Sequence, residues 1–321
     1  MQKFSYKNCV SLERINPISF NRMLTYVDSV IDFLLAEKLT FLIRYKSLLK
    51  SQRMILMINV NHDSESLAEM YDKVSKYQYI NGLAFVKKLN ISSRHKVLDV
   101  GCGTGRLTLK LAGKVDHIMG IDPSIQRIEV ARRKLTKMNP GNVTFELGSS
   151  DDIGRYGEDV FDVIYLNAVF HWINDKEEAL NNIYRVLKPG GKLGICTVDK
   201  DHSFTVKIVA KEVLKRAGII DEGADFSAPV NKVELHSLLR KSGFRVIEIK
   251  LKKDLRYFET PVKCLEYVEA SSFGNFLGNI PVSVREKVQA EIVAELTKYQ
   301  TPKGIESIYH DLFAIAEKSL V

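Results

Sequence analysis

The sequence lacks paired cysteines, long apolar runs and a strong charge excess beyond its first residues. Its four cysteines are scattered along 321 residues with no C-x-x-C pair, which argues against a disulfide framework and a zinc site. We therefore expect no metal and a reducing, cytoplasmic compartment. Residues 1–60 hold nine Lys or Arg against four Asp or Glu, which is five of the eight net positive charges. The rest is close to balance, so nucleic acid is not an expected partner.

The apolar stretch 30–43 is too short for a membrane span and is interrupted by three charged residues. It also lacks the continuous apolar core and cleavage site of a signal peptide. We predict an amphipathic helix in an N-terminal extension, residues 1–63, that docks on the body or is poorly ordered. Contact with a membrane surface is the alternative. Met54 and Met57 are further candidates for the natural first residue.

The most informative stretch is an apolar run that ends in three glycines at alternate positions. Residues 96–100 are typical of a buried parallel strand, and residues 106–112 of a buried helix. Gly101, Gly103 and Gly105 lie at the join, where glycine adopts positive φ at little cost and lets backbone N–H groups approach a ligand. The helix presents its positive end there. The stretch predicts a nucleotide-type site, with a turn of no function as the alternative.

The glycine spacing distinguishes between nucleotide classes. A dinucleotide fingerprint is G-x-G-x-x-G, whereas position 106 here is Arg. The G-x-G-x-G form, with Asp99 two residues before the first glycine, resembles motif I of the class I S-adenosylmethionine-dependent methyltransferases. The resemblance implies S-adenosylmethionine as cofactor, with Asp99 near its methionine amino group, directly or through water.

After the glycines, apolar strand patterns alternate with helical ones, as in a doubly wound fold. The predicted strands are residues 117–121, 143–147, 160–169 and 191–198, and the predicted helices are residues 124–137 and 176–187. In the family, the seventh strand lies antiparallel between the fifth and the sixth. The resemblance therefore implies an α/β fold, a mostly parallel seven-stranded Rossmann-like sheet, with residues 64–321 as the methyltransferase domain.

Acidic residues at two strand ends are candidates for binding the cofactor. Asp122 closes the second strand about twenty residues beyond the glycines, where a carboxylate accepts ribose hydroxyls; a helix cap is the alternative. In the family, an acidic residue after the third strand binds the exocyclic amine of adenine. The resemblance implies Asp151 or Asp152 for this role, with Asp151 preferred and a solvated turn as the alternative.

The fourth strand ends in Asn167 and is followed by the aromatic cluster Phe170-His171-Trp172. Its carboxyl end lies at the edge where open α/β sheets bind ligands, and the resemblance implies that methyl transfer occurs there. We predict Asn167 as a cofactor contact, and Phe170 and Trp172 as part of a lid. His171 is predicted to form a wall or to contact the cofactor, with a general base as the alternative.

The helical stretch that precedes the glycines, residues 66–89, resembles the aromatic-rich helix before motif I in small-molecule methyltransferases. The resemblance implies that Tyr71, Tyr77 and Gln78 close over the cofactor tail and the substrate. Packing of the two tyrosines on the sheet is the alternative.

The C-terminal third contains helical patterns and a returning strand pair. Helices are predicted at residues 203–216, 231–242, 261–273 and 282–300, and strands at residues 244–252 and 304–318. Residues 304–317 also fit a helix, but the alternation from Leu312 to Ala316 favours a strand. Residues 261–280 predict a cap over the active site within the inserted region 200–300, with an ordinary helical subdomain as the alternative.

Two missing motifs narrow the substrate class. The chain has neither the Asn/Asp-Pro-Pro-aromatic motif of amino-group methyltransferases after strand four nor the paired cysteines of arsenite methyltransferases. It most resembles the small-molecule branch of trans-aconitate and malonyl-acyl-carrier methyltransferases, whose substrates are carboxylates. We predict methyl transfer to a carboxylate or hydroxyl oxygen of a small molecule. A carboxylate acceptor needs a cation, for which Arg256 is a candidate.

Three alternatives remain for the function. The first is an RNA or protein methyltransferase docked through the basic N-terminus. The second is a protein that binds S-adenosylmethionine without catalysis. The third is a pyridine-nucleotide dehydrogenase, which Arg106 and the glycine spacing disfavour.

Overall fold

Strands with apolar residues on both faces form the centre of the molecule, because helices cover the sheet on both sides. The computed structural model describes residues 60–219, 227–278 and 280–320. The strands are β1 (Lys96–Val100), β2 (His117–Asp122), β3 (Val143–Leu147), β4 (Phe161–Asn167), β5 (Leu187–Val198), β6 (Arg245–Phe258), β7 (Gln300–Thr301) and β8 (Gly304–Glu317). The helices are α1 (Glu65–Val74), α2 (Lys76–Val86), α3 (Arg106–Leu111), α4 (Ile125–Met138), α5 (Lys176–Val186), α6 (Thr205–Arg216), α7 (Lys232–Lys241), α8 (Pro261–Ser271), α9 (Asn275–Gly278) and α10 (Val282–Thr297).

The strand order is β3-β2-β1-β4-β5-β8-β6, with β7 paired to β8 outside this path. Strands β1 to β5 are parallel, and β8 lies antiparallel between β5 and β6. The predicted doubly wound, mostly parallel fold is therefore confirmed, as is the strand interpretation of residues 304–317. The two-residue β7 was not predicted and makes the sheet eight-stranded instead of seven-stranded.

Strand β6 ends at Phe258, six residues after the predicted end. Val198, the last residue of β5, pairs with Asp311, which pairs with Lys252. The residues of β6 beyond Lys252 therefore pair with the first half of β8, past the carboxyl end of β5. The prediction stopped early because charged side chains interrupt the apolar pattern, which is usual for a strand at the edge of a sheet.

The predicted single helix at residues 66–89 is divided at Ser75, whose N–H donates to the carbonyl of Tyr71. The residues after Val86 form a short 3₁₀ turn. Helix α1 begins at a side-chain cap, since Ser64 Oγ accepts from the N–H of Leu67 at 3.2 Å. The break turns α2 so that Asn81, Gly82 and Phe85 are buried.

The hydrophobic core has three parts. One face of the sheet packs on α5 and α7, and the other packs on α2, α3 and α4. A separate cluster joins α6, α8, α9 and α10 to β6 and β8, and these four helices are called the cap below. All described residues belong to one compact unit, residues 57–321.

Two further points concern the termini and the membrane. Among the described helices, none combines the length and apolar character that a bilayer crossing requires. The predicted helix at residues 30–43 and the alternative starts Met54 and Met57 lie outside the described residues. The boundary between an extension at residues 1–63 and a domain at residues 64–321 stays a prediction.

Candidate functional site

The loop between β1 and α3 depends on its three glycines. Gly101, Gly103 and Gly105 have φ values of 72°, 55° and 73°, which is the left-handed region that glycine adopts most easily. A side chain at Gly101 would approach Val169 Cγ2 to 2.3 Å, and one at Gly105 would approach Phe145 Cζ to 2.5 Å. Conformation and space both require glycine, so the backbone of this loop is available for close approach to a ligand.

Asp122 lies at the end of β2, next to the glycine loop. Its Oδ2 accepts from the N–H of Gly103 at 2.9 Å, and its Oδ1 from the N–H of Ser124 at 2.9 Å. Ser124, not Asp122, is the N-cap of α4. Burial raises the pKa of Asp122, and the nearby Arg127 opposes that rise. Because each carboxylate oxygen has two acceptor sites, Asp122 can still accept hydroxyl donors.

Asp99 lies in β1 below the glycine loop. Its Oδ2 accepts from Thr108 Oγ1 at 2.6 Å and from the hydroxyl of Tyr165 at 2.7 Å. Burial raises the pKa of Asp99 to about 7, although these two hydrogen bonds oppose the rise. The structure thus holds Asp99 by two hydroxyls, and its predicted contact with the cofactor tail stays a prediction.

Tyr71 on α1 lies against the glycine loop. A Cβ at Gly103 would stand 3.1 Å from Tyr71 Cε1. The guanidinium of Arg127 lies 4.3 Å above the tyrosine ring. Burial raises the pKa of Tyr71 to about 12, so its hydroxyl stays protonated at neutral pH.

Gln78 on α2 joins the end of β4 to the cap. Its backbone carbonyl accepts from Asn167 Nδ2 at 3.2 Å, and its Nε2 donates to Ser271 Oγ at 3.4 Å. Its Oε1 is buried and has no hydrogen-bond partner among the residues that the structure describes. A buried acceptor without a donor is costly, so this oxygen is suited to a ligand that carries a donor.

His171 follows β4 and is buried. Its Nδ1 lies 3.0 Å from Thr197 Oγ1, and its ring centroid lies 4.6 Å from that of Trp172. Burial, with smaller contributions from Lys207 and Lys176, lowers the pKa of His171 to about 3. The imidazole is therefore neutral near pH 7 and a weak base there.

Three further predicted site residues are buried in the core or lie in the turn after β3. Phe170 is fully buried in the core between the sheet and α5. Asp152 Oδ2 accepts from the N–H of Ser149 at 2.7 Å and completes a capping box. Asp151 is exposed in the same turn after β3. Its side chain takes no part in the capping box, which uses Asp152.

Arg256 on β6 is 3% exposed and already has partners inside the protein. Its Nη2 donates to Asp311 Oδ2 at 3.2 Å, its Nε to Asp254 Oδ2 at 3.3 Å and its Nη1 to the hydroxyl of Tyr267 at 2.9 Å. Together with Tyr77, whose ring lies 5.2 Å from the guanidinium, these residues are called the Arg256 cluster below. Asp254 and Asp311 therefore already pair with the Arg256 guanidinium, which is the group predicted to bind a carboxylate substrate.

Sequence reasoning missed a second buried arginine, Arg127 on α4. Its Nε lies 2.9 Å from Asp63 Oδ2, and its Nη2 donates to the carbonyl of Ala270 at 2.8 Å. The ring of Phe273 lies 3.7 Å from its guanidinium. The available signal was a charged residue directly before Ile128, on the apolar face of an amphipathic helix.

The comparisons with known proteins point to methyltransferases. Residues 91–260 match the methyltransferase-domain family. The chain is 36% identical over 194 residues to the O-methyltransferase cnsE of Penicillium expansum, which covers 60% of this chain and 66% of that relative. It is 25% identical to the malonyl-[acyl-carrier protein] O-methyltransferase 1 of Ilyobacter polytropus, over 81% of this chain and 94% of that relative.

The matches differ in how much of each relative they cover. For three curated relatives above 30% identity, this chain spans between 44% and 66% of their length. Among solved structures, phosphoethanolamine N-methyltransferase 2 of Haemonchus contortus, in complex with S-adenosyl-L-methionine, matches with a TM-score of 0.53 and 19% identity. That match covers 80% of this chain and 57% of the other, and at this identity it shows the fold alone.

Proposed function

Since the chain belongs to the methyltransferase-domain family, we propose that it uses S-adenosylmethionine to methylate a hydroxyl oxygen of an uncharged small molecule. The observation that carries the choice of acceptor is the pairing of Arg256 with Asp254 and Asp311. A carboxylate substrate would need a cation, and this one is already neutralised by two carboxylates.

The residues around the glycine loop support S-adenosylmethionine as the cofactor. Gly101, Gly103 and Gly105 give the loop a positive-φ backbone without side chains, and Asp122 beside it keeps acceptor capacity for ribose hydroxyls. The N-terminus of α3 follows this loop directly. When bound, S-adenosylmethionine supplies a methyl group activated by its sulfonium, so the protein's task is chiefly to position the acceptor.

The acceptor-binding role falls to Gln78, Trp172 and Phe273. The buried, unpartnered Oε1 of Gln78 can accept from an acceptor hydroxyl. Trp172 and Phe273, with ring centroids 6.4 Å apart, offer apolar contact and exclude water. His171 is neutral and held by Thr197, which supports a role as a wall and not as a base. An acidic hydroxyl such as a phenol needs the least help from a base.

Cofactor binding is tested first by calorimetric titration of S-adenosylmethionine and of its demethylated product. We expect Asp122→Ala to weaken both by about tenfold or more, because the loss of buried hydrogen bonds costs about 1–3 kcal/mol. Arg133→Met is the control, since Arg133 lies on α4, the helix that follows Asp122, and forms exposed ion pairs with Glu65 and Glu69. Absence of binding to the unaltered protein would overturn the proposed cofactor.

The acceptor class is tested with methyl-labelled S-adenosylmethionine and a panel of phenols, alcohols and carboxylic acids. We expect methyl ethers, which are stable in base, and the same panel gives base-labile esters if the acceptor is a carboxylate. Label in RNA or protein would support the macromolecular alternative. Cofactor binding without transfer to any acceptor would support a non-catalytic protein.

The cytoplasmic compartment is part of the same proposal, supported by free Cys102, Cys196 and Cys264.

A further inference from the structure

A continuous set of contacts connects the glycine-loop edge with cap helix α8. Asp122 Oδ1 accepts from the N–H of Ser124 at 2.9 Å, and Ser124 Oγ donates to Asp63 Oδ2 at 2.7 Å. The same Asp63 oxygen accepts from Arg127 Nε at 2.9 Å, and Arg127 Nη2 donates to the carbonyl of Ala270 at 2.8 Å. Segments that are far apart in the chain are thereby joined through one guanidinium.

Two aromatic rings contact the guanidinium of Arg127. The rings of Phe273 and Tyr71 lie 3.7 Å and 4.3 Å from Cζ, and Arg127 is 3% exposed. Phe273 has a φ of 58°, an unfavourable conformation for a phenylalanine that the surrounding structure must hold in place. The turn after α8 therefore contacts Arg127 through Phe273, and α1 contacts the same arginine through Tyr71.

The charges around Asp122 are unbalanced without Arg127. The titratable and charged groups that face Asp122 come from α4, α1, β1 and two loops: Arg127, Tyr71, Asp99, Asp63 and Cys102. Arg127 is the cation among them. Burial raises the pKa of Asp122, Arg127 opposes the rise and Asp63 reinforces it.

We propose that Arg127 is a positioning residue for cofactor binding: through Asp63 and the carbonyl of Ala270 it holds α8 to the glycine-loop edge, where Asp122 lies. This inference rests on the proposed function, because Asp122 is the predicted ribose ligand. It goes beyond that function by assigning the cap and the cofactor edge to one coupled unit. Arginine suits this role because its planar guanidinium can stack and donate at the same time.

The test is calorimetric titration of S-adenosylmethionine across a pH series with Arg127→Met and Arg127→Lys. Affinity is present above the pKa of Asp122 and is lost as the pH falls through it. In Arg127→Met the loss shifts to higher pH, so at a pH within the falling part of the unaltered protein's profile the affinity of the variant is about tenfold weaker. Arg127→Lys keeps the charge and restores the pH profile, although it loses the stacking.

We expect Asp63→Asn to shift the pH profile of cofactor affinity in the opposite direction. Because Asp63 raises the pKa of Asp122, its removal shifts the loss of affinity to lower pH. A purely structural role for the contact predicts weaker binding in both variants with no shift in the profile. Hydrogen exchange across residues 261–274 gives a second measurement, since we expect faster exchange in Arg127→Met and near-normal exchange in Arg127→Lys.

The outcomes separate this inference from the proposed function. An Arg127→Met profile that superimposes on that of the unaltered protein overturns the role of Arg127 while the cofactor assignment stands. If the unaltered protein binds no S-adenosylmethionine, the proposed function fails instead. If Arg127→Met does not fold, Arg127→Lys and Asp63→Asn decide, and parallel shifts of the same sign in these two variants overturn the inference.

Discussion

The glycine-loop edge and the Arg256 cluster both contact cap helix α8, yet they are built in different ways. At the edge, backbone conformation does most of the positioning, through Gly101, Gly103 and Gly105. In the Arg256 cluster, side chains from β6, β8 and α8 do it through buried charges. The glycine loop positions a ligand without side-chain charges of its own. In the Arg256 cluster the charges already pair with each other, so the cluster needs no charged ligand.

The buried arginines of these two regions, Arg127 and Arg256, differ in the number of carboxylates that pair with each. Arg127 is paired with one carboxylate, that of Asp63, and donates to a carbonyl. Arg256 is paired with two, those of Asp254 and Asp311, and Asn81 Nδ2 donates to both of these. Removal of Arg256 therefore leaves more uncompensated charge than removal of Arg127.

The largest effect should come from Arg256→Met. Breaking a buried pair by removing one partner costs about 3–5 kcal/mol, and we expect a loss of unfolding free energy of that size in urea titrations. Arg216→Met is a matched control, since Arg216 also faces two carboxylates, Glu291 and Glu295, but at the surface. Exposed pairs contribute little. An equal, small effect in both variants would contradict the charge-built description of the cluster.

The next effect tests the backbone-built edge. Gly101→Ala places a side chain at a φ of 72°, with a Cβ 2.3 Å from Val169 Cγ2, and we expect a loss of about 2–4 kcal/mol from strain and overpacking together. Gly113→Ala is the control, because its Cβ would meet no atom within 4 Å. Thermal unfolding and cofactor titration measure both. Normal cofactor affinity in Gly101→Ala would show that the loop conformation is not required.

The smallest effect concerns His171, a buried titratable side chain whose pKa is perturbed by lysines and by no carboxylate. Its pKa falls from 6.5 to about 3 on folding, so its contribution to stability is present above pH 6.5 and is lost as the pH falls toward 3. At about pH 5 the loss is about 2 kcal/mol. His171→Gln should reduce the acid sensitivity of the urea midpoint. An unchanged pH dependence would show that the imidazole is solvated.

The same contrast explains what the sequence could predict. The glycine loop and Asp122 lie within 22 residues of one another, and their residue types follow from local conformation, so both were predicted. Asn81 and Asp311 are 230 residues apart, and Arg127 and Ala270 are 143 apart. Such pairs depend on packing that no local pattern encodes. Arg256 was noticed, but its partners could not be, so it was assigned to a substrate carboxylate.

The position of β8 bears on how the chain is made. This strand follows the other described strands in the sequence, yet it pairs with β5 on one side and β6 on the other. During translation, β5 and β6 therefore leave the ribosome with their facing edges open, and residues 304–317 close the gap once they are made. Open strand edges are prone to pairing with other chains. The nascent protein is thus exposed to aggregation in the interval before the fourteen-residue strand β8 emerges.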